Sequence, residues 1–272
     1  MPTLDLAREL AGSPVDSAAA AVIGPDGVLA MHETGERYRW ASVTKIATAL
    51  TILDACQEGV VSLSDPVDPP GATLGHLLAH TAGYTFDGPE PLSRPGVKRT
   101  YSNTGINKAS EHLSAATGTP FDEELNDRVL ELLDMKYASL DGPPSHGMVG
   151  TITDLARMAQ DLLTPRLLIP EVVRLASTPT YTDLAGITPG FGRYNPNLWG
   201  YGCEVKGQKT PHWTSPENSP ETFGHFGMSG SFCWVDPKAK LACVFLGDRE
   251  FGAWAPGYWP QFSTKVLQAY GA

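Results

Sequence analysis

The sequence predicts an α/β fold of the α+β kind: an antiparallel sheet drawn from both chain ends, flanked by helices, with a mostly helical lobe between them. Three observations carry this. Residues 18–31 read as two short strands around Pro25-Asp26-Gly27, a strong turn signal. The middle of the chain is dominated by apolar residues at helical spacing. Beyond about residue 195 strand-like runs take over, and an amphipathic segment closes the chain. The order places one lobe at about 1–60 and 195–272 and the helical lobe at about 61–194. A cleft between lobes is where a small-molecule site is expected.

Each element has its own signal. AAAAVIG and VLAMHE are the two N-terminal strands. Ser42 opens a helix in which Ile46, Leu50 and Leu53 recur on one face, and Gly59 closes it. Residues 61–72 form a Pro/Asp-rich loop, and Thr73 to His80 a short helix. Residues 81–100 form a long Gly/Pro-rich loop, and loops of that length inside a compact domain are often functional. Helices follow at about 104–117, stopped by Gly118, and at about 121–133. Another begins near Thr153-Asp154, which can cap it, with Leu155, Met158, Ala159 and Leu162 on one face. Pro170 starts a further short helix. Strands are predicted at 199–205, 222–226, 230–236 and 240–247, the last two joined at Asp236-Pro237-Lys238. Tyr258 to Tyr270 reads as the final helix. The first and last helices would cover the sheet.

Composition narrows the function. The chain has 272 residues, 42% hydrophobic and 18% charged, with 20 basic against 30 acidic side chains and a net charge of −10. It can bury a core without disulfides. The acidic balance argues against a nucleic acid or an anionic membrane surface as partner. Cys56, Cys203, Cys233 and Cys243 form no C-x-x-C pair and read as small buried thiols. The start, MPTLDLAREL, has neither the basic end nor the apolar core of a secretion signal, and no uncharged apolar run reaches about 18 residues. A cytoplasmic location is the expectation, unless a leader has been removed.

Three fragments could carry chemistry. Ser42 and Lys45 lie three apart at a helix start, hence on one face. The helix N-terminus favours a developing oxyanion, and a nearby amine can activate a serine hydroxyl. Alone, the pair also reads as a cap followed by a solvated lysine. Tyr101-Ser102-Asn103 follows Pro95-Gly96 and precedes a helix. A constrained tyrosine can act as a base if cations lower its pKa, and an asparagine can hold a substrate amide. Alone, it reads as a turn with an N-cap. His225-Phe226-Gly227 lies on a strand, where Gly227 would let a ligand approach the backbone; alone, it reads as a glycine-rich hairpin.

Together, S-x-x-K, then Y-x-N about 60 residues later, then a [KH]-x-G strand resemble the penicillin-recognising serine enzymes: the class C β-lactamase, DD-peptidase and family VIII esterase group. Leu77-Leu78-Ala79-His80-Thr81-Ala82-Gly83 resembles the LLxHTSG segment of that group, with Ala82 in place of its serine. Pro95-Gly96 with Tyr101-Ser102-Asn103 resembles its PG…YSN stretch. Gly150-Thr151 with Thr153-Asp154-Leu155-Ala156 resembles a helix start, and Gly224-His225, Gly230 and Val235-Asp236-Pro237 its GHxG…G…DP pattern. The likeness spans about residues 20–250. It implies a single serine β-lactamase-like catalytic domain over 1–272. It implies Ser42 as nucleophile, Lys45 as the group that receives or shares its proton, and Tyr101 as general base together with Lys45 and then donor to the leaving group. Asn103, His225 and Gly227 would bind substrate, and the backbone N–H groups of Ser42 and Met228 would form an oxyanion hole. No metal or cofactor is implied. His80 reads as a structural residue.

His225 departs from the lysine of β-lactamases and DD-peptidases, which favours neutral esters over carboxylate-bearing substrates. The chain is also short for the group, so peripheral insertions are missing. An α/β-hydrolase is rejected: Gly227-Met228-Ser229-Gly230-Ser231 lacks the last glycine of G-x-S-x-G, and the strand–helix alternation is absent. Three functions remain. The first is an esterase-type serine hydrolase on small ester or amide substrates; the second, a DD-peptidase or a β-lactam-hydrolysing or penicillin-binding enzyme; the third, a non-catalytic binding protein. Loops 84–100 and 181–220 would shape specificity. Trp199, Trp213, Trp254 and Trp259 could line a pocket or an interface. Oligomeric state is left open.

Overall fold

The structure, a computed structural model, describes residues 4–271. Strands β1 (Ala18–Gly24) and β2 (Gly27–His32) are the N-terminal hairpin. β3 (Glu204–Val205), β4 (Phe223–Gly227), β5 (Ser231–Asp236) and β6 (Leu241–Gly247) come from the other end. They form one six-stranded sheet in the order β3-β4-β5-β6-β1-β2, with every neighbouring pair antiparallel. The expected sheet from both chain ends is therefore present.

Strand alternation assigns the two faces of the sheet. Ala19, Ala21, Ile23, Cys233, Val235, Val244 and Leu246 enter the larger core. Ala20, Val22, Phe232, Trp234, Cys243 and Phe245 enter a smaller aromatic one. Helix α1 (Leu6–Ala11), capped by Asp5, contributes Leu6 and Leu10 to that second core. The sequence reading did not foresee it.

The larger core is made with α2 (Thr44–Gln57), α3 (Leu74–Leu78), α4 (Asn103–Thr117), α5 (Phe121–Leu125), α6 (Ile152–Leu163) and α7 (Pro170–Ser177). The aromatic core is closed by α8 (Ala255–Tyr270), which carries Trp259, Phe262 and Val266. α6, read from sequence as part of the helical lobe, lies on the sheet against β1, β5 and β6. The alanines of β1 leave room for it. Residues 44–53 of α2 are buried on every side, as a helix at the centre of a domain must be.

Several details differ from expectation. The helix expected at 121–133 is α5 followed by a π-turn at Asn126–Leu130. The cap of α6 is Thr151, not the Thr153-Asp154 pair. Its hydroxyl accepts from Asp154 N, and Asp154 Oδ2 accepts in return from Thr151 N at 3.0 Å. The strand expected at 199–205 shortens to β3. The chain turns at Gly202, with φ +86°, where a Cβ would lie 2.3 Å from that of Ala49. Short pairings at 38–39 with 149–150, 139–140 with 148–149, and 186–188 with 192–194 were not expected. Among the described residues no helix is long and apolar enough to cross a membrane.

Candidate active site

Ser42 lies in a 3-10 turn, Ala41–Val43, that leads straight into α2. The turn is pinned from both sides. Trp40 N donates to Met148 O at 2.9 Å, and Ser231 Oγ donates to Trp40 O at 2.7 Å. Ala41 has φ +45°, a costly conformation for a non-glycine residue, directly before the serine. Gly227 ends β4 against this turn. A Cβ there would lie 2.4 Å from Trp40 O and 3.0 Å from Ala41 Cβ. The close approach at Gly227 is therefore made by the chain's own Ser42 turn, where the sequence suggested a ligand.

Lys45, one helical turn on, is fully buried. Its Nζ has three oxygen neighbours: Ser42 Oγ at 3.1 Å, Asn103 Oδ1 at 2.6 Å and Ser145 O at 2.8 Å. Burial pushes its pKa well below the ordinary lysine value, against the opposing charge of Asp87. Asn103 is the first residue of α4, whose N-cap Ser102 accepts from Gly105 N at 3.0 Å. This cap fixes where the Asn103 amide points. Its Nδ2 donates to Asp87 Oδ1 at 2.9 Å.

Tyr101 is enclosed by rings. His80, Phe86, Trp199 and His225 have centroids 4.7, 5.8, 5.7 and 5.7 Å from its own. Burial pushes the phenol above its ordinary value, and a hydrogen bond with Ser42 opposes this. The expectation that cations lower it is not met: Lys45 Nζ sits over the ring face, 4.8 Å from the centroid. His225 Nδ1 lies 2.6 Å from Phe226 O, a pure acceptor, so the proton is on Nδ1. Nε2 is then free to accept from Tyr101 Oη at 3.4 Å. Burial and the nearby Lys45 push His225 down to about 3, so the ring is neutral at pH 7. His80 Nδ1 accepts from Ser102 N at 3.2 Å, which ties the segment just after α3 to the N-cap of α4 beside Tyr101.

The predicted residues thus converge. Ser42, Tyr101, His225 and Met228 line a narrow inner pocket with Phe86, Trp199, Phe226 and Glu204. On the other side, Ser42, Asn103 and Met228 line a groove of about 550 Å³ with Asp87, His146 and Arg39. Neither Ser42 N nor Met228 N has an acceptor among the described residues. A wider cavity of about 620 Å³ lies elsewhere, around Lys206 and Pro196, and contains none of these groups. Of the four tryptophans singled out from sequence, Trp199 lines the pocket, Trp213 and Trp259 are core, and Trp254 packs beside them. The cysteines are free, with Cys203, Cys233 and Cys243 buried.

Sequence reasoning missed Asp87, the Ser145 carbonyl and Glu204. Glu204 is a buried carboxylate held by Thr188 Oγ1, Lys209 Nζ and Trp213 Nε1, each at 2.7 Å. Burial raises its pKa, but Lys209 and His212 bring it well below the ordinary value. A Glu-Val strand edge gives no sign of this. Among the described residues no cluster of His, Cys, Asp and Glu is placed to hold a metal ion.

A two-ended antiparallel sheet, with Ser-x-x-Lys, Tyr-x-Asn and His-x-Gly converging between it and the helices, defines the serine β-lactamase and penicillin-binding-protein superfamily. Residues 7–262 match the β-lactamase family, and the chain belongs to it. It is similar to the crystal structure of a β-lactamase from Mycobacterium bovis, at 46% identity and TM-score 0.95, covering 98% of this chain and 99% of that one. Simvastatin synthase (LovD) from Aspergillus terreus shares the fold at 14% identity and TM-score 0.76, over 96% and 93% of the two chains. The octameric penicillin-binding protein homologue from Pyrococcus abyssi shares it at 18% and 0.71, over 98% and 76%. A β-lactamase from Escherichia coli (strain K12) is 23% identical over 181 residues. The match spans 47% of this chain and about half, 48%, of that curated relative.

Proposed function

We propose that this protein is a serine acyl-hydrolase that forms a covalent acyl-enzyme on Ser42, of esterase type on small neutral ester or amide substrates. Membership of the β-lactamase family supports serine-hydrolase-type activity. The observation that carries the reading is the set of neighbours of Lys45. A neutral amine has two N–H donors and one lone pair. Asn103 Oδ1 and the Ser145 carbonyl accept from Nζ at 2.6 and 2.8 Å, and Ser42 Oγ lies third at 3.1 Å; once the amine is neutral, the first two acceptors use both N–H donors and the lone pair would face Ser42. The buried site favours that neutral form, so Lys45 is the base for the first step.

In that step Ser42 Oγ bonds to the acyl carbon and its proton passes to Lys45. The oxyanion is held by the N–H groups of Ser42 and Met228. The tetrahedral species collapses, and the bond from the acyl carbon to the leaving oxygen or nitrogen breaks. Tyr101, neutral in its ring cage, protonates the leaving group and is reprotonated from Lys45. Water repeats the sequence on the acyl-enzyme, releasing the acid. Asn103 orients the acyl side in the open groove. The narrow apolar pocket beside Tyr101 takes the leaving group, which favours small or flat neutral groups. His225, neutral and committed to Phe226 O, offers no permanent charge to a substrate carboxylate.

β-Lactam hydrolysis or penicillin binding is the second reading. The 46% identity to a protein named a β-lactamase over almost the full chain favours it. Intact-protein mass during turnover of p-nitrophenyl butyrate, with Ser42→Ala in parallel, separates the two. A butyryl adduct and p-nitrophenol release in the wild type, both lost in Ser42→Ala with a fall of at least about 10³ in rate, is the expected result. A stable penicillin adduct on Ser42 without ester turnover would transfer the assignment to the second reading. Ligand binding with neither adduct would leave a non-catalytic binding protein.

A further inference from the structure

Among the described residues Asn103 is the only side chain hydrogen-bonded to both Lys45 and Asp87, a carboxylate that lines the groove. Its Oδ1 accepts from Lys45 Nζ at 2.6 Å, and its Nδ2 donates to Asp87 Oδ1 at 2.9 Å. An ionised carboxylate can only accept, so it selects one of the two amide orientations. The selected one puts the amide oxygen on Lys45. The opposite one would aim an N–H at the amine and leave Asp87 facing an oxygen.

We propose that Asp87 is a positioning residue that acts on Lys45 through Asn103, as a lock on the amide and as a fixed negative charge at the mouth of the site. The inference rests on the role given to Lys45 above. Asp87 sits on the long loop that also supplies Phe86. Phe86 O accepts from Asn103 N at 2.7 Å, so loop and helix start are tied by two separate bonds. The groups facing Lys45 from its other sides are Tyr101, His80, His225 and His146. Tyr101 is held neutral by burial, and burial likewise favours the neutral form of the three histidines. Arg39 lines the groove and Glu204, paired with Lys209, the inner pocket, but the charge that acts on the amine is that of Asp87. It favours the ammonium, against burial, and so keeps Lys45 able to hold the proton between attack and leaving-group departure.

The test titrates Lys45 directly by NMR of the full chain carrying 13Cε-lysine, its signal assigned by loss in Lys45→Arg and Lys45→Met. Asp87→Asn keeps an oxygen acceptor within reach of Asn103 but removes the charge and, because an amide also donates, the selection of one Asn103 orientation. Its expected effect is to move the Lys45 midpoint to lower pH by a few tenths to about one unit, because the charge is partly screened by solvent. Asp87→Glu is expected to return the midpoint toward that of the wild type. A midpoint in Asp87→Asn equal to the wild-type value would overturn the proposal. The acid limb of kcat/KM for p-nitrophenyl butyrate should move with the NMR midpoint. Absence of ester turnover in every form would defeat the esterase reading, while the NMR titration still decides the role of Asp87.

Discussion

Lys45 has three oxygens within hydrogen-bond reach and, among the described residues, no carboxylate in contact. At the residue scale, burial without a contacting counter-ion is what favours the neutral amine that the proposed mechanism needs. The short motifs were legible because each occupies one turn or one strand: Ser42 and Lys45 share a helix start, Tyr101 and Asn103 flank an N-cap, and His225 and Gly227 share β4. Asp87, Ser145 and Glu204 were not legible. They meet the motifs across long sequence separations, as Ser145 does with Lys45, and no local pattern marks them. Gly227 has a packing role that the sequence did not show: its missing side chain makes room for Trp40 O and Ala41. Gly227→Ala therefore forces β4 away from the Ser42 turn and takes the Met228 amide with it. Chemical denaturation should show a loss of about 1–3 kcal/mol, the usual cost of overpacking. kcat/KM should fall at least tenfold as the oxyanion donors separate. A variant with wild-type stability and rate would show that turn and strand are not rigidly coupled.

Elements, next, decide where these residues stand. α2 is buried on every side, which makes Lys45 dry, and its periodicity was visible as Ile46, Leu50 and Leu53. α6 was visible as well, but its start was read two residues late. Thr153-Asp154 and Thr151 are both plausible caps in sequence, and only the reciprocal bonds of Thr151 and Asp154 choose between them. The two- and three-residue strands were invisible because so few residues carry no alternation to detect. Removing the cap tests the element without touching the site. Thr151→Ala should cost about 1 kcal/mol and lower the melting temperature by about 2–4 °C. Ester kcat/KM should stay within about twofold, because α6 bears no group of the proposed mechanism. Unchanged stability would mean that water replaces the cap at no cost.

At the scale of the whole molecule, three histidines are buried with their rings favoured neutral, and this has a consequence for stability against pH. His80, His212 and His225 are buried, and burial lowers all three below the ordinary histidine value, His225 to about 3. In the unfolded chain each titrates near 6.5. Their contribution is therefore fully present above that pH and is lost as pH falls below it, because the unfolded chain takes up protons that the fold refuses. Lys45 acts in the same direction at higher pH, since its amine is also lowered on folding. Each histidine adds a slope of up to about 1.4 kcal/mol per pH unit, so three give up to about 4. The sheet from both ends makes the effect global. His225 on β4 is tied through β5 and β6 to β1, so one continuous sheet joins the segment that holds it to the N-terminal hairpin. Urea midpoints measured between pH 7.5 and pH 5 should fall steadily, with the change beginning near pH 6.5. In His80→Gln or His225→Gln, where no ring is left to charge, the slope should be shallower by about one proton. A midpoint that is flat or rises toward pH 5 would mean that these rings take up protons inside the fold, and the neutral assignment of His225 would fall with it.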